Sequence, residues 1–139
     1  MLMTRSASTA LRFKIASEPS EFEQIHRLNY ATFVEEIPQH ACNEDRRLVD
    51  AFHPENTYVV AMRGDRLEGM MAVRGTRPFS LDAKLPDLDR HIPQGRSLCE
   101  IRLLATRREC RNGVVFRGLA NTLARHALAQ GYDLSLLHI

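Results

Sequence analysis

Cysteine is scarce in this 139-residue chain, and Cys42, Cys99 and Cys110 form an odd count at irregular spacing. That argues against a disulfide framework and suits reduced thiols in a cytoplasmic protein. The six histidines make no HExxH and, with the cysteines, no paired ligand spacing, so no metal site is expected. GxSxG, the P-loop and GxGxxG are all missing, which removes the usual entry points to hydrolase, nucleoside-triphosphatase and dinucleotide chemistry. No run approaches the roughly 18 consecutive apolar residues of a membrane span. Residues 1–12 lack the apolar core of a signal peptide and read as a flexible tail.

What is present is the composition of one globular domain, 44% hydrophobic and 26% charged, which we assign to residues 13–139. The net charge of +2 is small, but Arg102, Arg107, Arg108, Arg111, Arg117 and Arg125 face a single acid, Glu109. Such a patch suits phosphate or an acidic protein partner; the alternative is a solvated basic helix face. Few aromatics interleave with the arginines, so nucleic acid is not an expected partner.

Local patterns give the order strand, helix, hairpin, long loop, strand, helix, strand. Phe13–Ala16 reads as a strand, and Ser20 with Glu23 as the capping box of a helix to about Phe33. His40–Asn56 is polar, with one helical turn expected at Arg46–Phe52. Thr57–Met62 and Leu67–Val73 read as strands joined by a turn at Gly64-Asp65. Gly75–Ser97 carries three prolines. It reads either as a lid over an apolar ligand, using Phe79, Leu81, Leu85, Leu88 and Ile92, or as a partly helical connector with its own core. Gly113–Gln130 is an amphipathic helix with Phe116, Leu119, Ala120, Leu123 and Ala127 on one face, ended by Gly131. Tyr132–Ile139 is a last strand.

The chemistry concentrates in Leu98–Gly131. On the strand Leu98–Thr106, strict alternation puts Cys99, Ile101, Leu103 and Ala105 on an apolar face. Leu98, Glu100, Arg102 and Leu104 lie on the other, and a bulge would change that assignment. A carboxylate among apolar neighbours is either ion-paired or faces a cleft. After the strand comes an arginine-rich turn, Arg107–Arg111, and then Asn112-Gly113-Val114 at a helix mouth, where free N–H groups and the helix dipole favour an anion.

This strand–turn–helix resembles the acyl-donor motif of GNAT acyltransferases, whose turn is Arg/Gln-x-x-Gly-x-Gly/Ala. Here Arg108-Glu109-Cys110-Arg111-Asn112-Gly113 keeps the leading base and last glycine, with arginine in place of the first glycine; alternatively Arg111-Asn112-Gly113 is a version one residue shorter. The wider chain is similar to the branch holding long-chain N-acyl amino acid synthases and, more remotely, acyl-homoserine-lactone synthases. The likeness runs over residues 13–137. It rests on Arg27 and Phe33, the acidic segment Glu44 to Asp50, Asn56–Ala61, Gly69–Arg74, Arg77–Leu81 and Glu100–Ala105. It implies a mixed α/β, mostly antiparallel sheet flanked by helices, with the chain ending before that fold's last strands, so that it is truncated or pairs its final edge in a homodimer.

The resemblance also implies roles. Glu100 is the expected base, removing a proton from an attacking amine. Backbone N–H groups at Leu103 and Leu104 would steady the oxyanion. Arg108, Arg111, Asn112, Gly113 and Val114 would hold the phosphate of acyl-CoA or of acyl-phosphopantetheine on acyl carrier protein. Arg27, Phe33, Arg74, Phe79 and Arg102 would shape the acceptor side. The expected activity is N-acyl transfer from such a thioester to a small-molecule amine, an amino acid among them; the alternative is a catalytically incomplete module that binds the thioester or its carrier.

Overall fold

The computed structural model describes residues 10–137. Residues 1–9 of the expected tail, and His138 and Ile139 of the expected last strand, lie outside the described residues.

The chain forms β1 (Leu11–Ile15), α1 (Pro19–Tyr30), a π-helical turn (Ala31–Glu36), the hairpin β2 (Thr57–Arg63) and β3 (Arg66–Arg74), a short α2 (Ser80–Lys84), β4 (Leu98–Thr106), α3 (Gly113–Ala129) and β5 (Leu134–Leu137). The five strands make one sheet in sequence order. Its pairings are antiparallel except for β4 with β5, which is parallel. The mixed, mostly antiparallel sheet expected from the sequence is therefore present.

α1 covers one face and α3 the other. Ile25 and Leu28 of α1 pack on Tyr58, Val60, Met62, Leu67, Met70 and Ala72. Val115, Leu119 and Leu123 of α3 pack on Val59, Ala61, Met71, Val73 and Cys99. Because both faces of β2 and β3 are covered, Tyr58–Met62 and Gly69–Val73 are apolar without alternation, while Glu68 is buried and paired with Arg63. Each fully buried Leu, Ile or Val contributes about 1.5–3 kcal/mol relative to exposure. Gly118 lets α3 approach closely: a Cβ there would sit 1.9 Å from Phe13 Cζ.

Several local expectations are corrected. β1 starts at Leu11 and α1 at Pro19, where proline suits a first helical position whose N–H has no partner. The capping carboxylate is Glu21, which accepts from the N–H groups of Ser17 and Glu18, and not Glu23. Arg46–Phe52 holds no helical turn; a 3-10 turn follows at His53–Glu55. In α3, Val115 takes the core place expected of Phe116, which is exposed. The long connector is partly helical, and it buries Phe79 and Leu88 while Leu81, Leu85 and Ile92 are half-buried.

Candidate functional site

The site is organised by an irregularity in β4. Met70 faces Ala105 and Ala72 faces Arg102, so Leu103 and Leu104 both oppose Met71. Leu103 adopts φ 59° to accommodate the extra residue, a conformation uncommon for a side-chain-bearing residue. The strict alternation expected for β4 is therefore wrong beyond Arg102. Leu103 and Ala105 join the α1-side core, whereas Leu104 packs with Cys99 and Ile101 on the α3 side. Such a bulge leaves main-chain polar groups out of the ladder.

On the α1 side, Phe33, Asn29, Leu48, Asp50, Arg102 and Leu103 line a cleft of about 340 Å³. Arg102 Nη1 donates to Asp50 Oδ2 at 2.8 Å, and its Nε lies 3.8 Å from Glu100 Oε1. Asn56 Nδ2 donates to the same Asp50 oxygen at 2.9 Å and to Tyr58 Oη at 3.2 Å. Tyr58 Oη lies 2.9 Å from His53 Nδ1, and burial pushes the phenol up to about 12. The hydroxyl therefore keeps its proton. His26, stacked edge-on against His53, is buried with Nδ1 unpartnered; burial, and then the positive field of His53, hold it below the ordinary histidine range.

Glu100 is fully buried. Its two oxygens accept from the N–H groups of Ser80 and Leu81 at 3.0 and 2.9 Å, tying the start of α2 to β4. Arg74 is equally enclosed: it donates to Glu55 at 2.6 Å and to the Pro78 carbonyl at 2.5 Å. Its guanidinium carbon lies 3.8 Å from the Phe52 ring centroid, and Nη1 sits 3.9 Å from Glu100 with no hydrogen bond. Of the ion-paired and cleft-facing readings of Glu100, the structure has the first: it is buried beside two arginines and lines neither cleft.

Beyond the bulge, Thr32, Glu36, Leu104, Arg111, Asn112 and Gly113 line a second cleft of about 480 Å³. Asn112 caps α3, its Oδ1 accepting from Val114 N and Val115 N. Nothing lies within 4 Å of a Cβ built on Gly113, so the helix mouth is open. Arg111 grips Glu36 at 2.6 and 2.5 Å, and Arg108 Nε is 3.8 Å from the same carboxylate. This hydrogen bonding by Arg111, against a smaller opposing effect of burial, holds Glu36 below the ordinary carboxylate range.

The structure thus gathers Phe33, Arg102 and Leu103 at one cleft, and Leu104, Arg111, Asn112 and Gly113 at the other. Arg74 on β3 flanks Glu100, and Phe79 is buried in the connector just ahead of Ser80 and Leu81, whose N–H groups bond Glu100. Arg27 stands apart, exposed on α1 and paired with Glu23. Val114 is exposed at the helix mouth. Two further residues join these clefts, Asp50 and Glu36. Asp50 was legible as the end of an acid-rich segment, whereas nothing in sequence marked Glu36, which lies 75 residues from Arg111. Among the described residues no cluster of metal-ligating side chains occurs, and no helix is long and apolar enough to cross a membrane.

A family model for the N-acyl amino acid synthase FeeM matches residues 24–139. Similar solved structures include the CoA-dependent acyl-homoserine lactone synthase BjaI, at 24% identity and TM-score 0.72, with 86% of this chain and 59% of that one covered. The acyl-homoserine lactone synthase LasI matches at 15% identity and TM-score 0.75, covering 94% and 72% of the two chains. FeeM itself, from uncultured soil microbes, matches at 17% identity and TM-score 0.68, covering 94% and 71%. The chain thus spans about 59% of the length of BjaI. No curated protein sequence is significantly similar to it.

Proposed function

The chain belongs to the FeeM family of N-acyl amino acid synthases, and we propose that it moves an acyl group from a carrier-protein or CoA thioester to the amine of a small molecule, an amino acid. The observation that carries this reading is the β4 bulge at Leu103, with a carboxylate–arginine cleft on one side and an arginine-rich helix mouth on the other.

In this reading the donor's phosphate rests by Arg108, Arg111 and Gly113, and its thioester carbonyl lies against the main chain at Leu103 and Leu104. The acceptor enters the cleft beside Phe33. Asp50 and Arg102 meet its ammonium and carboxylate groups respectively. Loss of a proton frees the amine, with Glu100, enclosed behind Arg102, the proposed acceptor of that proton through an intervening water. The nitrogen lone pair then forms the C–N bond, the C–S bond breaks, and the thiol leaves with a proton. No covalent intermediate on the protein is required, which leaves Cys99 and Cys110 as packing residues.

The test is incubation of the full chain with acyl carrier protein and CoA thioesters of several lengths and a mixture of amino acids, read by mass spectrometry. N-acyl amino acids at levels above an enzyme-free control are the expected outcome. Release of thiol with no acylated amine would refute it. The exposed apolar side chains Phe116, Leu128 and Leu137 favour one other reading, a module that binds donors without turning them over. Donor binding by calorimetry with no product from any amine would select that one.

A further inference from the structure

We propose that Glu36 sets donor specificity, tuning the second cleft to a single phosphodiester, such as carrier-bound phosphopantetheine, over the pyrophosphate and ribose phosphate of CoA. This rests on the acyl-transfer reading of the site. The sequence shows a rich store of positive charge at the donor turn. The structure shows most of it already engaged. Arg111 is held by both oxygens of Glu36. Arg107 Nε donates to the Leu67 carbonyl at 2.5 Å. Arg66, across the turn, pairs with Glu109. The N–H groups of Val114 and Val115 at the start of α3 are engaged by Asn112.

Arg108, whose side chain is 74% exposed, lines the adjoining cavity and stands 3.8 Å from Glu36, so the same carboxylate draws on it too, though more weakly than on Arg111. A donor phosphate therefore meets a cleft with a resident carboxylate in it. One phosphodiester charge can be matched by Arg108 alone. A second and third phosphate would have to approach Glu36 or displace it from Arg111, and like charges at that range repel. Glu36 also closes the π-helical turn that carries Phe33 into the acceptor cleft. Displacing it would therefore disturb the wall that the amine packs against.

The experiment is calorimetry with CoA and with holo-acyl carrier protein on the full chain, Glu36→Gln, and Asp65→Asn as a control for net charge. Glu36→Gln is expected to bind CoA about fivefold more tightly, the scale of one partly exposed charge interaction. Carrier-protein affinity should change less than twofold, and Asp65→Asn should reproduce neither effect. Adding Arg111→Gln to Glu36→Gln should erase the gain. Glu36→Ala must give the same order of affinities if the amide variant folds poorly. CoA affinity that stays level or falls, or an equal gain for both donors, would overturn the inference. Because binding is read without turnover, failure of the acyl-transfer reading shows separately, as absent product with the donor preference intact.

Discussion

Replacing Glu100 by glutamine changes one atom, and the structure makes its cost specific. Both carboxylate oxygens accept main-chain N–H groups, from Ser80 and Leu81, and the residue is fully buried. An amide offers one oxygen and turns its NH2 toward the other N–H, so one donor meets another donor. The loss of a hydrogen bond to a charged group, with a buried N–H left unmatched, amounts to about 2–3 kcal/mol. Arg74 and Arg102 would meanwhile lose the carboxylate that lies 3.9 and 3.8 Å from them. Urea denaturation followed by circular dichroism should show the midpoint fall by roughly 1 M, given slopes of about 1–3 kcal/mol per molar. Turnover measured well below that midpoint then reports on chemistry alone. If the carboxylate accepts the proton, kcat falls at least a hundredfold, the lower end of general-base contributions, in protein that remains folded. An unchanged urea midpoint would refute the clamp on α2, and an unchanged kcat would refute the base.

Gly118→Ala sets two effects against each other. Alanine gains about 1 kcal/mol of helix propensity, but a Cβ 1.9 Å from the Phe13 ring forces that ring aside, for which overpacking costs of about 1–3 kcal/mol apply. A net loss of stability is expected, reduced when Phe13→Ala is added; a more stable single variant would contradict the packing described here. His26 is buried with a depressed pKa, so the unfolded chain binds its proton more readily than the native one. Stability should be fully present above the ordinary value of 6.5 and decline as pH falls from there through the native pKa, seen as a lower urea midpoint at about pH 5.5 than at about pH 7.5. His26→Leu should flatten that slope, and an unchanged slope would remove His26 as its source. Cys42 is exposed while Cys99 and Cys110 are buried with thiols pushed up by burial. An aromatic disulfide reagent should therefore titrate one thiol quickly and the other two only in denaturant. Fast labelling of all three would refute their burial.

The element order and the bounds of β4 were legible in sequence because each rests on local periodicity and turn chemistry. The hairpin at Gly64-Asp65 is such a case, with Gly64 at φ 59°. The bulge at Leu103 was not legible, because an extra residue is defined only by the partner strand it faces, and Leu103-Leu104 is apolar on either phase. The start of α1 was misplaced by two residues because Ser20 and Glu23 fit the capping pattern as well as Glu18 and Glu21 do. Glu100 could be singled out as an anomalous acid, yet its partners at Ser80 and Leu81 arrive from a loop whose path no pattern specifies. Glu36 and Asp50 gain meaning only through contacts 75 and 52 residues away along the chain.

The extra residue in β4 also divides the strand into two halves that are out of phase. In the proposed acyl transfer, Leu98–Arg102 keeps its polar side chains toward the amine, and Leu104–Thr106 serves the thioester. A mutation in either half leaves the facing of the other unchanged. Deleting one residue at the junction would bring the two halves into step, and it would fuse two independently adjustable surfaces into one ordinary strand. Under the proposed acyl transfer, acceptor range and donor range would drift separately under selection, and a library confined to one half should alter one without the other.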